Sequence, residues 1–277
     1  MSTWTPSWLP DGIDLRLHGE VTSAPYVRMT LDLLRRVGVS VEHEPDLSRV
    51  RVAGRAGRGL PGFDLDIEPD ASAAAFFWAA GMLLPGWTIG VEGVPEASCQ
   101  GDARLPEVLA RMGGRIERHP GSTIVHGPAR IAPIDVDLAD MPDAAMALAV
   151  VASFADGPST IRGLRTLRVK ETDRIAALRT ELGRLGVRVV EHSERAPGVI
   201  TLTPPPGGVQ AAAMDTPVAF DTYDDHRMAM SLALLGLRRA GVLIRDPACA
   251  AKTYPAYWRE LSRIARVGAP GPTEKRP

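Results

Sequence analysis

The chain has 277 residues, 45% of them hydrophobic, enough to bury the core of one large domain or about two smaller ones. Its formal net charge of −1 gives no global attraction to nucleic acid or to an anionic membrane surface. The two cysteines, Cys99 and Cys249, match no metal or redox spacing, and the six histidines hold no ligand pair at helical spacing, so no structural metal and a reducing, cytoplasmic location are expected.

Residues Met1 to Pro10 have no basic patch followed by an apolar run and do not read as a signal peptide. Leu33 to Gly38 reads as the end of a helix, with Gly38 at the left-handed closing position and Val39 and Val41 opening a strand. Pro69 marks a passage into a new unit. Asp70 is an N-cap signal before Ala71 to Leu84, an apolar run too short for a membrane span and therefore a buried helix. Trp87 to Val91 reads as a strand. A helix starting near Asp102 ends at Gly113.

The same order then recurs. Asp143 precedes another run of small apolar residues, Ser159 to Arg162 reads as a strand, and a helix from Thr172 ends at Gly186, with Val187 and Val189 beginning a strand. Asp224 and Asp225 open a third such run, Val242 to Arg245 reads as a strand, and a last helix starts near Thr253. Gly38, Gly113 and Gly186 thus recur at intervals of about 75 residues, longer than ordinary solenoid periods. The repeating unit is strand, helix, strand, helix, strand, strand, which points to α/β packing. The expected organisation is a partial unit over residues 1–67, a nearly complete three-unit lobe over 68–266, and a disordered tail over 267–277.

Four segments concentrate polar groups: Met141 to Met146, Arg168 to Arg174, Tyr223 to Met230, and Ala251 to Pro255. They fall in matching phase, so their side chains are expected to lie near one another at one end of the lobe. Arg174, Arg227 and Lys252 would supply positive charge, and helix starts add unpaired N–H groups. Lysine is scarce: only Lys170, Lys252 and Lys275 occur, which draws attention to the two internal ones. Asp143 and Glu171 place carboxylates among these cations, an arrangement suited to proton transfer as well as anion binding. Taken singly, each has an ordinary reading. Lys170 to Arg174 could be a solvated helix start capped by Thr172, Asp143 an N-cap, His226 a locally satisfied histidine, and Arg227 a surface arginine. Their joint pattern points to a site.

The segments Pro142-Asp143-Ala144-Ala145-Met146, Arg168-Val169-Lys170-Glu171-Thr172-Asp173-Arg174, Asp225-His226-Arg227-Met228-Ala229-Met230 and Ala251-Lys252-Thr253 resemble motifs of EPSP synthases, in the same order and at similar spacing. Gln100-Gly101-Asp102 and Ser23-Ala24-Pro25-Tyr26 also match, and the likeness runs from about Leu9 to Ala265. The resemblance implies the enolpyruvyl transferase fold, an inside-out α/β barrel of two lobes, each of three βαβαββ units. It implies transfer of an enolpyruvyl group from phosphoenolpyruvate to the 5-hydroxyl of shikimate 3-phosphate, in the shikimate pathway of aromatic amino acid biosynthesis, with no cofactor. It implies that Asp143 contacts and deprotonates that hydroxyl, that Glu171 is the acid/base group, and that Arg174, Arg227 and Lys252 bind phosphoenolpyruvate, Lys252 doubling as a candidate proton donor. Ser23, Tyr26, Asp143, Thr166 and Lys170 resemble shikimate 3-phosphate contacts, with Asp225 and His226 in support.

Two positions depart from the family, Thr166 and Asp224, each where many members have asparagine. The Pro-Gly-Ser-Lys-Ser, glycine-rich and Ser-Ser-Gln segments of family members have no counterpart in these residues. The first unit is therefore expected to be the last of an otherwise missing lobe. The isolated chain is expected to be an impaired catalyst, with a separate N-terminal segment as its implied partner. Split gene, truncated gene and mis-called start all stay open. The alternative readings are a non-catalytic anion- or partner-binding remnant and a UDP-N-acetylglucosamine enolpyruvyl transferase.

Overall fold

The computed structural model describes residues 10–19, 21–56, 58–60, 62–192, 197–209 and 216–268. They form two compact units. One holds the described residues up to Pro69 together with Ala97–Gly101, and the other holds Asp70–Glu96 and the described residues from Asp102 onward. The division falls two residues after the boundary expected at 67. The return of Ala97–Gly101 to the first unit is a spatial grouping that a linear division cannot express.

The first unit is a three-stranded antiparallel sheet with one helix. Its strands are β1 (Gly12–Arg16), β2 (Val41–His43) and β3 (Arg49–Ala53), in the order β1-β3-β2. Helix α1 (Ala24–Arg36) contributes Leu31 and Leu34 to a small core with Val37, Val39, Leu47, Val50 and Val52. Gly38 closes α1 at φ 78°, a conformation that costs glycine nothing.

The second unit is built on three central helices: α2 (Ala71–Leu83), α4 (Ala145–Ala152) and α6 (His226–Ala233). In sequence α2 and α4 are apolar on every side, and a helix of that kind has to be buried. All eight residues of α4 are fully buried. Small side chains, mostly alanine, bring α4 against both α2 and α6. Asp70 caps α2 by accepting from the Ser72 N–H at 2.8 Å, as its sequence position predicts.

Around these helices lie strands and outer helices. The strands are β4 (Thr88–Glu92), β5 (Arg115–His119), β6 (Ser122–His126), β7 (Asp135–Asp137), β8 (Ser159–Arg162), β9 (Arg188–Glu191), β10 (Ile200–Thr203), β11 (Val218–Phe220) and β12 (Val242–Ile244). The outer helices are α3 (Leu105–Arg111), α5 (Arg174–Gly183) and α7 (Tyr257–Gly268). Three sheets result, with orders β4-β6-β5, β7-β8-β10-β9 and β11-β12. Gly113 and Gly186 close the turns after α3 and α5 at φ 102° and 79°.

One repeat, β7-α4-β8-α5-β9-β10, is a complete βαβαββ unit. Among the described residues the repeat before it begins directly at α2, with no strand over 62–69. The last one ends at α7. The expected tail begins inside a helix, since α7 runs on to Gly268; residues 269–277 lie outside the described residues. No helix among the described residues is long and apolar enough to cross a membrane.

Aromatic packing ties α7 to the central helices. The fully buried Tyr257 donates its hydroxyl to Met230 O at 2.6 Å, and its ring meets Phe76 edge-on at 6.1 Å. Truncating Phe76 would open a cavity at this junction. Phe76→Ala is expected to lower unfolding stability by about 3–5 kcal/mol, read as a shift in the urea midpoint at unchanged slope. A loss under about 1 kcal/mol would mean that the junction collapses freely.

Candidate active site

The site forms where three segments lead into central or outer helices. Asp143 lies in a 3-10 turn, Pro142–Ala144, that runs into α4. Lys170 and Glu171 lie between the 3-10 segment Arg165–Val169 and α5, whose first residue is Arg174. Asp225 caps α6, whose first two residues are His226 and Arg227. A fourth segment, the 3-10 turn Pro247–Lys252, packs against α6 and ends at Lys252.

Arg174 is the hub. Only 1% of it is exposed, and its guanidinium makes four hydrogen bonds to three carboxylates. Nε and Nη2 donate to Asp225 at 2.7 and 3.2 Å, Nη1 to Asp143 Oδ1 at 2.9 Å, and Nη2 also to Glu171 Oε2 at 2.7 Å. Asp225 and Asp143 are themselves buried. Further cations stand outside this hub. Lys170 Nζ lies 3.5 Å from Asp143 Oδ1, Arg227 Nη2 lies 3.5 Å from Asp143 Oδ2, and Lys252 Nζ donates to Glu171 Oε1 at 2.9 Å. Exposure rises along the chain of contacts, from 0% at Asp225 to 59% at the Lys252 side chain. Four cations thus meet three carboxylates, with the excess positive charge toward solvent.

Environment sets the protonation states. Burial raises the Glu171 carboxyl, but the Lys252 hydrogen bond, its own backbone N–H and the Arg174 charge outweigh it and bring it to about 2. Burial lowers the His226 imidazole, and the neighbouring Arg227 charge adds to this, which keeps the ring neutral at pH 7. His226 Nδ1 is buried without a hydrogen-bond partner, 3.9 Å from Glu171. Thr166 belongs to the 3-10 segment that packs on Pro142–Ala144, and its hydroxyl is likewise buried without a partner.

The structure therefore brings together Asp143, Lys170, Glu171, Arg174, Asp225, His226, Arg227 and Lys252. Ser23 and Tyr26 belong to the first unit, where Ser23, at φ 56°, precedes α1 and Tyr26 is 42% exposed. Three local expectations need correction. Asp143 is not an N-cap, because its carboxylate is turned to Arg174 and Ala144 holds the cap position. Asp173, not Thr172, caps α5, accepting from the Ala176 N–H at 3.0 Å. The last helix begins at Tyr257 and not near Thr253, and Lys252 ends the 3-10 turn before it.

One further buried acid, Asp102, stands in the sequence only as part of the Gln100-Gly101-Asp102 motif. Burial raises the Asp102 carboxyl to about 6, against the opposing hydrogen bond from Ser72 and the charge of Arg227. Its signal in the sequence was its place after Gly101 at a helix start. An open groove of about 860 Å³, lined by Phe77, Trp87, Ile89, Tyr254 and Arg263 among others, shares no residue with the ion cluster.

Comparison with known proteins says to which family this α/β fold, with its buried carboxylate–arginine hub and lysines at the open side, belongs. The family model of EPSP synthase (3-phosphoshikimate 1-carboxyvinyltransferase) matches residues 7–261, and the chain belongs to that family. The chloroplastic 3-phosphoshikimate 1-carboxyvinyltransferase of Arabidopsis thaliana is 43% identical over 261 residues, covering 92% of this chain and 48% of the relative. The protein of that name from Thiobacillus denitrificans is 44% identical over 250 residues, covering 90% and 55%. The chain thus spans about half the length of the curated relatives it matches. Among solved structures, EPSP synthase from Acinetobacter baumannii superposes with a TM-score of 0.73 at 23% identity, covering 95% of this chain and 58% of that one. The enolpyruvyl transferase NikO from Streptomyces tendae gives 0.69 at 21% identity, covering 94% and 56%. These two show the shared fold.

The depressed Glu171 carboxyl has a testable origin. A carboxyl held below its ordinary value adds stability above about pH 4.5, and that stability is lost as pH falls toward about 2. Carboxyl-carbon NMR should follow Glu171 titrating near 2, and Lys252→Met should move the midpoint upward. A midpoint unmoved by that substitution would exclude Lys252 as a cause.

Proposed function

We propose that this chain carries the catalytic cluster for enolpyruvyl transfer from phosphoenolpyruvate to the 5-hydroxyl of shikimate 3-phosphate, with release of phosphate. The observation that supports it most is the single connected network of Asp143, Glu171, Arg174, Arg227 and Lys252 in a chain of the EPSP synthase family. Cytoplasmic location belongs to the same proposal; the Arabidopsis relative is named chloroplastic.

In this reading the hydroxyl oxygen adds to C2 of phosphoenolpyruvate and C3 gains a proton, giving a tetrahedral intermediate. Phosphate then leaves as C3 loses a proton, which restores the double bond. Asp143 is the candidate acceptor for the hydroxyl proton. Three cations lie within 3.5 Å of it, Arg174, Lys170 and Arg227. An ionised Glu171 is a base before it is an acid, which suits removal of the C3 proton in the second half. For the first half the proton is supplied by the Lys252–Glu171 pair, whose Nζ and Oε1 lie 2.9 Å apart.

Lys252, at the open side, and Arg227, beside Asp143, are the candidate direct contacts for phosphoenolpyruvate. Arg174 already has each of its nitrogens on a carboxylate, so we assign it the task of holding the acids in place, with at most one N–H left for an anion. Lys170, Thr166, Ser23 and Tyr26 are proposed as shikimate 3-phosphate contacts. Positioning and charge stabilisation would then lower the barrier without a cofactor.

The test is a phosphate-release assay with both substrates, run on the 277-residue polypeptide with and without a second polypeptide covering the rest of the family's length. Turnover is expected to be low alone and raised by the second polypeptide. Glu171→Gln should lower kcat by about a hundredfold or more. Binding of both substrates with no turnover under either condition would favour the anion-binding reading, and preference for a UDP-sugar acceptor would overturn the substrate assignment.

A further inference from the structure

Helix α5 carries two charged residues seven positions apart on one face, Arg174 at its start and Glu181 in its last turn. Arg174 holds Asp225, at the end of the loop that leads into α6. Glu181 holds the beginning of the same loop. Its Oε2 accepts the Asp221 N–H at 3.1 Å and its Oε1 accepts the Tyr223 hydroxyl at 2.7 Å. Glu181 is fully buried, an environment that penalises a carboxylate unless it is fully paired. Its remaining partner is Arg184, at 3.0 Å, which in turn reaches Asp221 at 2.9 Å.

Between the two holds lies an unusual piece of backbone. Tyr223 and Asp224 both adopt left-handed conformations, φ 57° and 54°, side by side and without glycine. Residues that are not glycine keep such conformations only where their surroundings over-determine them. Here the surroundings are the two contacts from α5 and the Asp225 N–H bond to Thr222 O at 2.9 Å. The result of the turn is the placement of Asp225. Its carboxylate caps α6 by accepting from Arg227 N at 2.8 Å and Met228 N at 3.4 Å, while it grips Arg174.

We propose that Glu181 is a positioning residue for the arginine pair: it holds the left-handed Tyr223–Asp224 turn, and through Asp225 it fixes where Arg174 and Arg227 stand. This rests on the proposed function only in treating the cluster as an anion site. Tyr223 serves as the lever. Burial, and then the Glu181 carboxylate, push its phenol up to about 12, so it remains a donor across the working pH range.

The experiment uses the full chain, with Glu181→Gln, Glu181→Ala and Tyr223→Phe, and reads amide hydrogen exchange together with the affinity for inorganic phosphate. In Glu181→Ala the Arg227 and Met228 amides should exchange about tenfold faster, as expected for loss of hydrogen bonds to a charged group, while α5 amides change less than about twofold. Phosphate affinity should fall about tenfold and return to within about threefold of wild type in Glu181→Gln, which keeps an oxygen acceptor. Tyr223→Phe should speed exchange at the same two amides by a smaller factor, and it keeps the test open if Glu181→Ala does not fold. Unchanged exchange at Arg227 and Met228, uniformly faster exchange through the unit, or unchanged phosphate affinity would each overturn the proposal. If the variants show the exchange and phosphate effects while the wild-type chain gives no enolpyruvyl transfer even with the second polypeptide, the functional reading falls and the role of Glu181 stands.

Discussion

A buried guanidinium has to be fully paired, and Arg174 is paired by carboxylates that come from three different helix starts. Desolvating one cation and its partners costs several kcal/mol per ion, and removal of one partner from such a group typically destabilises by about 3–5 kcal/mol. The segments before α4, α5 and α6 are therefore not free to drift apart. Their convergence depends on the central helices. Small side chains on α2 and α4 let backbones approach closely, so the ends of neighbouring helices come within reach of one arginine side chain. The apolar core and the charged cluster are two halves of one solution, since the core sets the distances and the cluster tolerates little deviation from them.

The same hub divides the cluster into a fixed part and an adjustable part. Arg174, Asp143 and Asp225 are buried and paired with one another. Lys252 and Lys170 are long, flexible and partly exposed, each held by a single carboxylate contact. Water screens the outer pairs and favours neither partner strongly. An arriving anion can therefore recruit Lys252 away from Glu171 at modest cost. Losing that hydrogen bond removes the main influence that lowers Glu171, so its carboxyl would rise toward the range where it can carry a proton. In the proposed reading, recruitment of Lys252 by an anion is the event that readies the Lys252–Glu171 pair to exchange a proton.

Much of this was legible in the sequence, for physical reasons that differ by residue. Gly38, Gly113 and Gly186 announced helix ends because few other residues accept positive φ so readily. Asp70 and Asp225 announced helix starts because an aspartate before a run of small apolar residues has little else to do locally. Asp143 has the same local pattern and does something else. Pro142 opens a 3-10 turn there, and the carboxylate satisfies a cation 31 positions away. Local pattern cannot show that, because the competing partner is remote. Glu181 was hidden for a similar reason. On its own helix it reads as an ordinary acid paired three residues on with Arg184, while the contacts that define it reach Asp221 and Tyr223, some 40 residues away. Asp173 and Thr172 are both good capping residues, and only backbone geometry chooses between such neighbours.

The three aspartates before the central helices show how a repeated unit acquires a site. Asp70 caps α2 through a single N–H bond and makes no contact with Arg174. Asp225 caps α6 with one oxygen and grips Arg174 with both. Asp143 does not cap α4, and its carboxylate lies beside Arg174, Arg227 and Lys170. A cap contributes about 1 kcal/mol to its helix. For α4 that loss is affordable because every one of its residues is buried, so packing and not capping holds it. The helix best anchored by its core is thus the one whose leading aspartate serves a remote cation instead of a cap. It is also the one in which a carboxylate can sit beside three cations without its own helix depending on it.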